Sequence, residues 1–370
     1  MSTTEIHGTC DPAYEGVRDA LAANFANGDI GASAAVTVGG ELVVDLWGGH
    51  RDLGRRLPWE TDTIANVWST TKMMTALCVL MLHDRGELSV DAPMAEYWPE
   101  FAAHGKDGVL VRHVMGHTAG LATFDDVVDD IAVFDWDGCC ARLAAQAPQW
   151  TPGDGSGYHA ETQGWLLGEL VRRVTGRTLG TFYRDEVAQP VGADFHIGTD
   201  DAHFARVADL STMRADIVSD HSRRSLSLVN TSAWRRMEMP ASGGHGNARS
   251  VVQALSALAN GGIARSADGG EVQLLSPATI ERIFEVQADG VDRVLGREMR
   301  LGIGYGLNTP SAPLGVNDRT IWWAGWGGSM CVIDLENNLV VSYVMNQMRN
   351  EADFRAINVV YAAHEARKTA

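Results

Sequence analysis

An apolar run, Met73–Leu82, follows directly on Trp68-Ser69-Thr70-Thr71-Lys72. It is apolar on nearly every side, and a helix of that kind has to be buried. The rest of the chain must therefore be wrapped around it, with Gly86 as the predicted stop. At the mouth of the run, a hydroxyl and an amine are spaced i and i+3, one turn apart on one helical face. Lys72 can bring its amine to the Ser69 hydroxyl. A lysine at the start of a buried helix is desolvated and feels the positive end of the helix dipole. Both effects favour the neutral amine that a base needs, and the dipole also favours negative charge on a serine oxygen. Ser-x-x-Lys is common by chance, and a serine in this place is otherwise an ordinary cap. A catalytic reading needs partners elsewhere in the chain.

Composition narrows the choices. With 370 residues, 45% of them apolar and 21% charged, the chain can bury one large core or two intertwined ones. A formal net charge of −17 argues against nucleic acid and anionic membrane as partners. Met1–Asp11 lacks a basic segment followed by an apolar one, and no uncharged apolar run reaches the length of a membrane span. The cysteines at 10, 78, 139, 140 and 331 are odd in number and form no CxxC pair. Neither a disulfide frame nor a zinc knuckle is expected, and a reducing cytoplasm fits.

Taken in order, residues 12–27 carry Val17, Leu21 and Phe25 at helical spacing. Ser33–Val38 and Glu41–Trp47 flank Gly39-Gly40, which predicts a β-hairpin. Ser89–Phe101, with Pro93 and Pro99, is expected to be irregular, and Val109–His117 a short helix ending near Gly120. A Gly/Pro-rich loop, Trp150–Gly157, delivers Tyr158. Helices are predicted after it up to Gly176, over 249–260, and over 277–287 with Ser276 as cap and Pro277 at the first position. Strands are predicted at Thr320–Ala324, Met330–Leu335 and Leu339–Asn346, followed by a closing helix over 351–367. Strands at both ends with helices between them suggest one antiparallel sheet built from both ends of the chain.

Three separated stretches then carry a resemblance. They are Ser69-Thr70-Thr71-Lys72, Tyr158-His159-Ala160 after Pro152-Gly153, and Trp323-Ala324-Gly325-Trp326-Gly327-Gly328-Ser329. In order and spacing they resemble the serine β-lactamase and penicillin-binding-protein superfamily, in its class C-like branch, and most of all the family VIII carboxylesterases. His113–Leu121 and Asn247-Ala248-Arg249-Ser250 are similar too, and the likeness spans roughly residues 15–365. The resemblance implies an α+β, β-lactamase/transpeptidase-like fold: an antiparallel sheet flanked by terminal helices, plus a helical domain. Residues 1–75 and 290–370 would form the sheet domain, and 76–289 the helical one, with the active site between them.

The resemblance also implies roles. Ser69 would attack a carbonyl and form an acyl-enzyme, Lys72 would take or relay its proton, and Tyr158 would pass the proton to the leaving group. Backbone N–H groups of Ser69 and Trp326 would form the oxyanion hole. Where the β-lactamases carry Lys and then Thr or Ser, this chain has Trp323-Ala324, and the Asn expected two places after the tyrosine is Ala160. A pocket without those polar groups suits an uncharged, apolar ester. Its expected lining is Trp68, Phe124, His159, Trp323, Ala324, Gly325 and Trp326, with Trp136 and Trp234 as further candidates. The expected function is therefore a carboxylesterase acting on a small-molecule ester, with no cofactor and with self-association left open. The alternatives are an amide, β-lactam or D-peptide hydrolase or acyltransferase with the same triad, or a binding module without catalysis. His113 and His117 stand at i and i+4 but lack the glutamate of a zinc peptidase, so no metal is expected. Cys139-Cys140 reads as a pair of inert thiols. Gly153–Gly157 lacks the Lys-Ser/Thr of a phosphate loop.

Overall fold

The computed structural model describes residues 4–126, 132–211, 227–310, 313–349 and 353–369. A nine-stranded antiparallel sheet forms its centre, in the spatial order Ile6–Cys10, Glu41–Gly49, Gly31–Val38, Leu339–Met345, Met330–Asp334, Thr320–Ala324, Gly306–Leu307, Glu298–Leu301 and Ala288–Val291. Strands from the two ends of the chain meet in the middle: Gly31–Val38 pairs with Leu339–Met345 from Ala32↔Met345 to Val38↔Leu339. The Gly39-Gly40 turn is a tight hairpin because both glycines take positive φ, 58° and 83°.

Helices cover both faces. Along Glu41–Gly49 successive side chains alternate between faces. A Cβ at Gly48 would touch Phe25 of the Glu15–Ala26 helix, whereas Asp45 receives Arg249 Nη1 from the Ala248–Ala259 helix at 2.7 Å. These positions have opposite parity, so the two helices lie on opposite faces of the sheet. The Arg355–Thr369 helix packs beside Glu15–Ala26. Thr71–Asp84 is buried at every residue from Thr71 to Leu82 and packs against Thr162–Thr175 and Leu179–Tyr183.

Several boundaries differ from the sequence expectations. The central helix begins at Thr71, and Trp68–Thr70 form a 3₁₀ turn ahead of it. Ser89–Phe101 is not irregular throughout: Met94–Tyr97 and the start of Pro99–Gly105 are helical, each entered through a proline whose missing N–H costs nothing there. Val111–Met115 stops at Gly116, before Gly120. Ser276 does cap Pro277–Arg282, accepting from Thr279 N at 3.3 Å, but the next residues turn into strand Ala288–Val291. The closing helix runs Arg355–Thr369, and residues 351–352 of its expected span lie outside the described residues. Among the described residues, no helix is long and apolar enough to cross a membrane.

Candidate active site

Ser69 lies on the 3₁₀ turn that feeds the buried helix, and the turn is held under strain. Trp68 has φ 46°, a left-handed conformation that costs a bulky residue about 1–3 kcal/mol. Side chains hold it there. Asn66 Oδ1 accepts from Trp68 N at 3.1 Å, and Thr71 Oγ1 donates to Trp68 O at 2.6 Å. The half-buried Ser69 Oγ then meets two groups at once: Tyr158 Oη at 2.7 Å and Lys72 Nζ at 3.2 Å.

Lys72 is buried and donates to two backbone carbonyls, Ala160 O at 2.7 Å and Ala241 O at 2.9 Å. Burial pulls its pKa down, against the opposing pull of Tyr158 and Glu161. A neutral amine has two N–H bonds and one lone pair. With both N–H bonds directed at carbonyls, the lone pair is left for the Ser69 hydroxyl proton.

The Tyr158 loop is fixed by its backbone. Three successive N–H groups are taken up: Gly157 N by His117 O at 3.1 Å, Tyr158 N by Asp292 Oδ1 at 3.0 Å, and His159 N by His117 Nδ1 at 3.1 Å. Asp292 also accepts from Val294 N and Leu295 N, each at 2.9 Å, so one carboxylate orders both sides of the entrance.

The third stretch ends strand Thr320–Ala324 and turns at Gly325–Gly328 against the Ser69 segment. Ser329 Oγ donates to Val67 O at 2.8 Å and lies 3.0 Å from Thr70 Oγ1. The approach is so close that a Cβ on Gly325 would fall 2.1 Å from Val67 O. Among the described residues, the backbone N–H groups of Ser69 and Trp326 have no acceptor. Two free donors on abutting segments suit one developing oxyanion.

Around these groups opens a cleft of about 1150 Å³, walled by Trp68, Trp322, Trp323, Ala324 and Trp326, with Val294, Leu295, Phe354 and Tyr361 toward its mouth. Ser69, Tyr158, Gly325 and Trp326 all line it. Phe124 and His159 do not. Phe124 packs edge-on against Trp165, and His159 is buried, accepting from Leu121 N at 3.1 Å while burial lowers its pKa to about 4. Trp136 donates to Glu169, away from the cleft, and Trp234 supports Trp68 from behind at 5.6 Å between ring centroids. His113 Nδ1 accepts from Leu110 N and His117 Nδ1 from His159 N, and among the described residues no group of three His, Cys, Asp or Glu side chains is placed to hold a metal. Cys139 and Cys140 are free thiols, and burial raises Cys139 to about 11.

Sequence reasoning did not find Asp292, nor the Ala160 and Ala241 carbonyls that orient Lys72. A backbone carbonyl has no sequence signal. Asp292 lies in a polar hairpin that resembles any other surface turn.

The order of the three stretches, now seen around one hydroxyl, agrees with the comparison to known proteins. The beta-lactamase family profile matches residues 18–366. This chain belongs to the beta-lactamase family. Within that family it is 32% identical to "Esterase/beta-lactamase LipL" of Mycobacterium tuberculosis (strain ATCC 25618 / H37Rv), over 98% of this chain and 90% of that one. Among solved structures it is similar to a family VIII carboxylesterase, with a TM-score of 0.91 and 39% identity over 98% of this chain and all of the other. It is also similar to a penicillin-binding protein homologue from Caulobacter crescentus, with a TM-score of 0.90 and 38% identity, again covering 98% and 100%. The mixed helical and antiparallel architecture is that of the beta-lactamase/transpeptidase fold.

Proposed function

We propose that this beta-lactamase family member is a serine hydrolase that cleaves carboxylic esters through an acyl-enzyme on Ser69. The observation that carries the reading is the double contact at one oxygen: Lys72 Nζ at 3.2 Å and Tyr158 Oη at 2.7 Å from Ser69 Oγ. In the first half-reaction Ser69 Oγ attacks the ester carbonyl and its proton passes to Lys72. The carbonyl oxygen takes the negative charge between Ser69 N and Trp326 N. As the carbon–oxygen bond to the alcohol breaks, Tyr158 gives its proton to the departing alkoxide and is reprotonated from Lys72. In the second half-reaction water replaces the alcohol, the same groups accept its proton, and the acid leaves with Ser69 restored.

The cleft supports an ester over a charged substrate. Trp323 and Ala324 form its wall where a cation and a hydroxyl would hold a carboxylate, and Trp68 and Trp326 extend that apolar wall. The names of the relatives, an esterase/beta-lactamase and a family VIII carboxylesterase, agree with this choice. One observation favours a carboxylate-bearing β-lactam or peptide as a second reading: Arg297 lines the cleft, as does Arg349, which also donates to Asn27 O at 2.7 Å and lies 3.8 Å from Asp29. Arg249 does not serve, because it is paired with Asp45. The deciding experiment is intact mass spectrometry of the protein after exposure to a fluorophosphonate and to a series of p-nitrophenyl esters. A single adduct on Ser69 supports the reading, and the absence of any adduct overturns it.

We further propose that residues 1–75 with 290–370 act as one lobe and 76–289 as the other, with Ser69 at their seam. Strands from 6–49 and 288–345 make the large sheet, and the helices that wrap Thr71–Asp84 come from between them, although Ala248–Ala259 lies on the sheet. A cytoplasmic location is the proposal that suits five free cysteines.

A further inference from the structure

His117 takes no part in the chemistry above, yet it touches both the loop that carries Tyr158 and Trp323 of the cleft wall. Its backbone is left-handed, with φ 60°, where a residue without a special reason would seldom be placed. That conformation aims two acceptors at one loop: the carbonyl oxygen at Gly157 N and Nδ1 at His159 N, both at 3.1 Å. The residue between those two amides is Tyr158. The imidazole also stacks on Trp323, with ring centroids 5.3 Å apart and planes 24° apart, and meets the Tyr158 ring at 5.0 Å. It is buried, and Nε2 faces the Gln163 amide nitrogen at 3.3 Å.

We propose that His117 is a positioning residue: by gripping the backbone on both flanks of Tyr158 while stacking on Trp323, it holds the phenol at proton-transfer distance from Ser69. The proposal rests on the role given to Tyr158 above. The acceptor role requires an imidazole without a proton on Nδ1. Burial keeps the ring neutral, because it holds the His117 pKa well below that of a free histidine, and the His159 N–H directed at Nδ1 selects the tautomer with its proton on Nε2. A tyrosine ring carried on a loop, unlike Lys72 on its helix, has no regular element to fix it. Misplacement of a reacting group by an ångström costs about a hundredfold in rate, which a stable fold alone would not prevent.

The test uses two substitutions of nearly equal shape in the full-length protein. His117→Asn keeps an acceptor close to the place of Nδ1 and tolerates positive φ, whereas His117→Leu removes the acceptor. Turnover of p-nitrophenyl butyrate and thermal unfolding are measured for both, and for each in combination with Tyr158→Phe. The expected result is a fall in kcat of about a hundredfold for His117→Leu, with KM little changed, and kcat restored to within about threefold of the parent by His117→Asn. In the Tyr158→Phe background neither substitution should lower kcat further. Equal losses for the two substitutions, a loss confined to KM, or a further loss in the Tyr158→Phe background would each overturn the proposal. If His117→Leu does not fold, His117→Asn decides alone: restored kcat supports the proposal and lost kcat overturns it. If Tyr158→Phe keeps full activity, the role given to Tyr158 fails first, and that outcome is separate from any result at position 117.

Discussion

Tyr158 and Lys72 reach the same oxygen of Ser69 from different elements, a loop and a helix, and Lys72 Nζ also lies 5.0 Å from the centre of the tyrosine ring. In the proposed mechanism, proton transfer in this site is thus a property of a pair. Removing Lys72 or Tyr158 should cost nearly as much as removing both, because groups acting as a unit are strongly non-additive. Lys72→Ala, Tyr158→Phe and the double variant, compared by kcat/KM on an aryl ester, test this. Multiplicative losses would refute a shared path.

Ser69→Ala should abolish fluorophosphonate labelling and bring ester turnover to background, while thermal unfolding stays close to that of the parent. A modified residue other than Ser69, mapped by peptide mass spectrometry, would count against the nucleophile assignment.

If Lys72 is the base, as proposed, its protonation sets the acid side of the pH profile. Burial lowers the pKa of this base, so the amine is charged below that value and neutral above it. If neutral Lys72 is required, kcat/KM should climb as pH rises through the lowered pKa and then level off. Lys72→Arg cannot release its proton, so it should lose about 10²–10⁴ in rate and also lose that limb. A pH–rate profile without an acid limb in the parent enzyme would exclude Lys72 as the base.

Substrate preference follows from Trp323 and Ala324. A charge-assisted contact to a substrate carboxylate is worth roughly 1.5–3 kcal/mol, and its absence should cost ten- to more than a hundredfold. Neutral short-chain aryl esters should exceed nitrocefin and D-alanyl peptides in kcat/KM by at least that margin. Comparable values would point to Arg297 or Arg349 as a cation for the carboxylate, and the substrate assignment would change to a β-lactam or peptide.

Arg355 connects the closing helix to the Gly325–Gly328 turn. It is buried, ion-pairs with buried Asp29 and with Asp353 at 2.6 Å, and donates to Gly327 O at 2.9 Å. Arg355→Met takes from buried Asp29 its nearest cation and leaves it Arg349 at 3.8 Å and the Tyr343 hydroxyl, so it should destabilise the protein by about 3 kcal/mol. The same change should lower kcat through the freed Gly327 carbonyl. Adding Asp29→Asn removes the stranded charge and should recover part of the stability but not the rate, as read by denaturant unfolding and ester turnover. Recovery of both would disprove the link to the turn.

How much of this could be read from the sequence depended on the kind of signal. The Ser69–Lys72 contact is local, set by one turn of backbone, and the Gly39-Gly40 hairpin is equally local. The strands over 320–346 are strongly apolar and showed themselves by composition. The edge strand Ile6–Cys10 did not, because its middle residues are exposed on both faces and lack an alternating pattern. His159 and Phe124 show a different limit. A motif gives the order of residues along the chain but not the direction of each side chain: His159 is buried while its neighbour Tyr158 lines the cleft, and half-buried Phe124 packs on Trp165 instead. Val294, Leu295, Phe354 and Tyr361 had no signal because a half-exposed apolar residue at a cleft mouth looks like any scattered surface one.

The pairing of Gly31–Val38 with Leu339–Met345 also governs when the molecule can come into being. During synthesis the chain presents Ser69, Lys72 and their helix while the partner of its third strand in space is still unmade. Such distant pairing is slow, and it leaves an open strand edge and an uncovered apolar helix waiting. The turn that bears Trp326 N is itself made late. On the proposed mechanism a nascent chain therefore has its nucleophile long before it has a place for the oxyanion, and reactivity arrives only once residues 320–345 have left the ribosome.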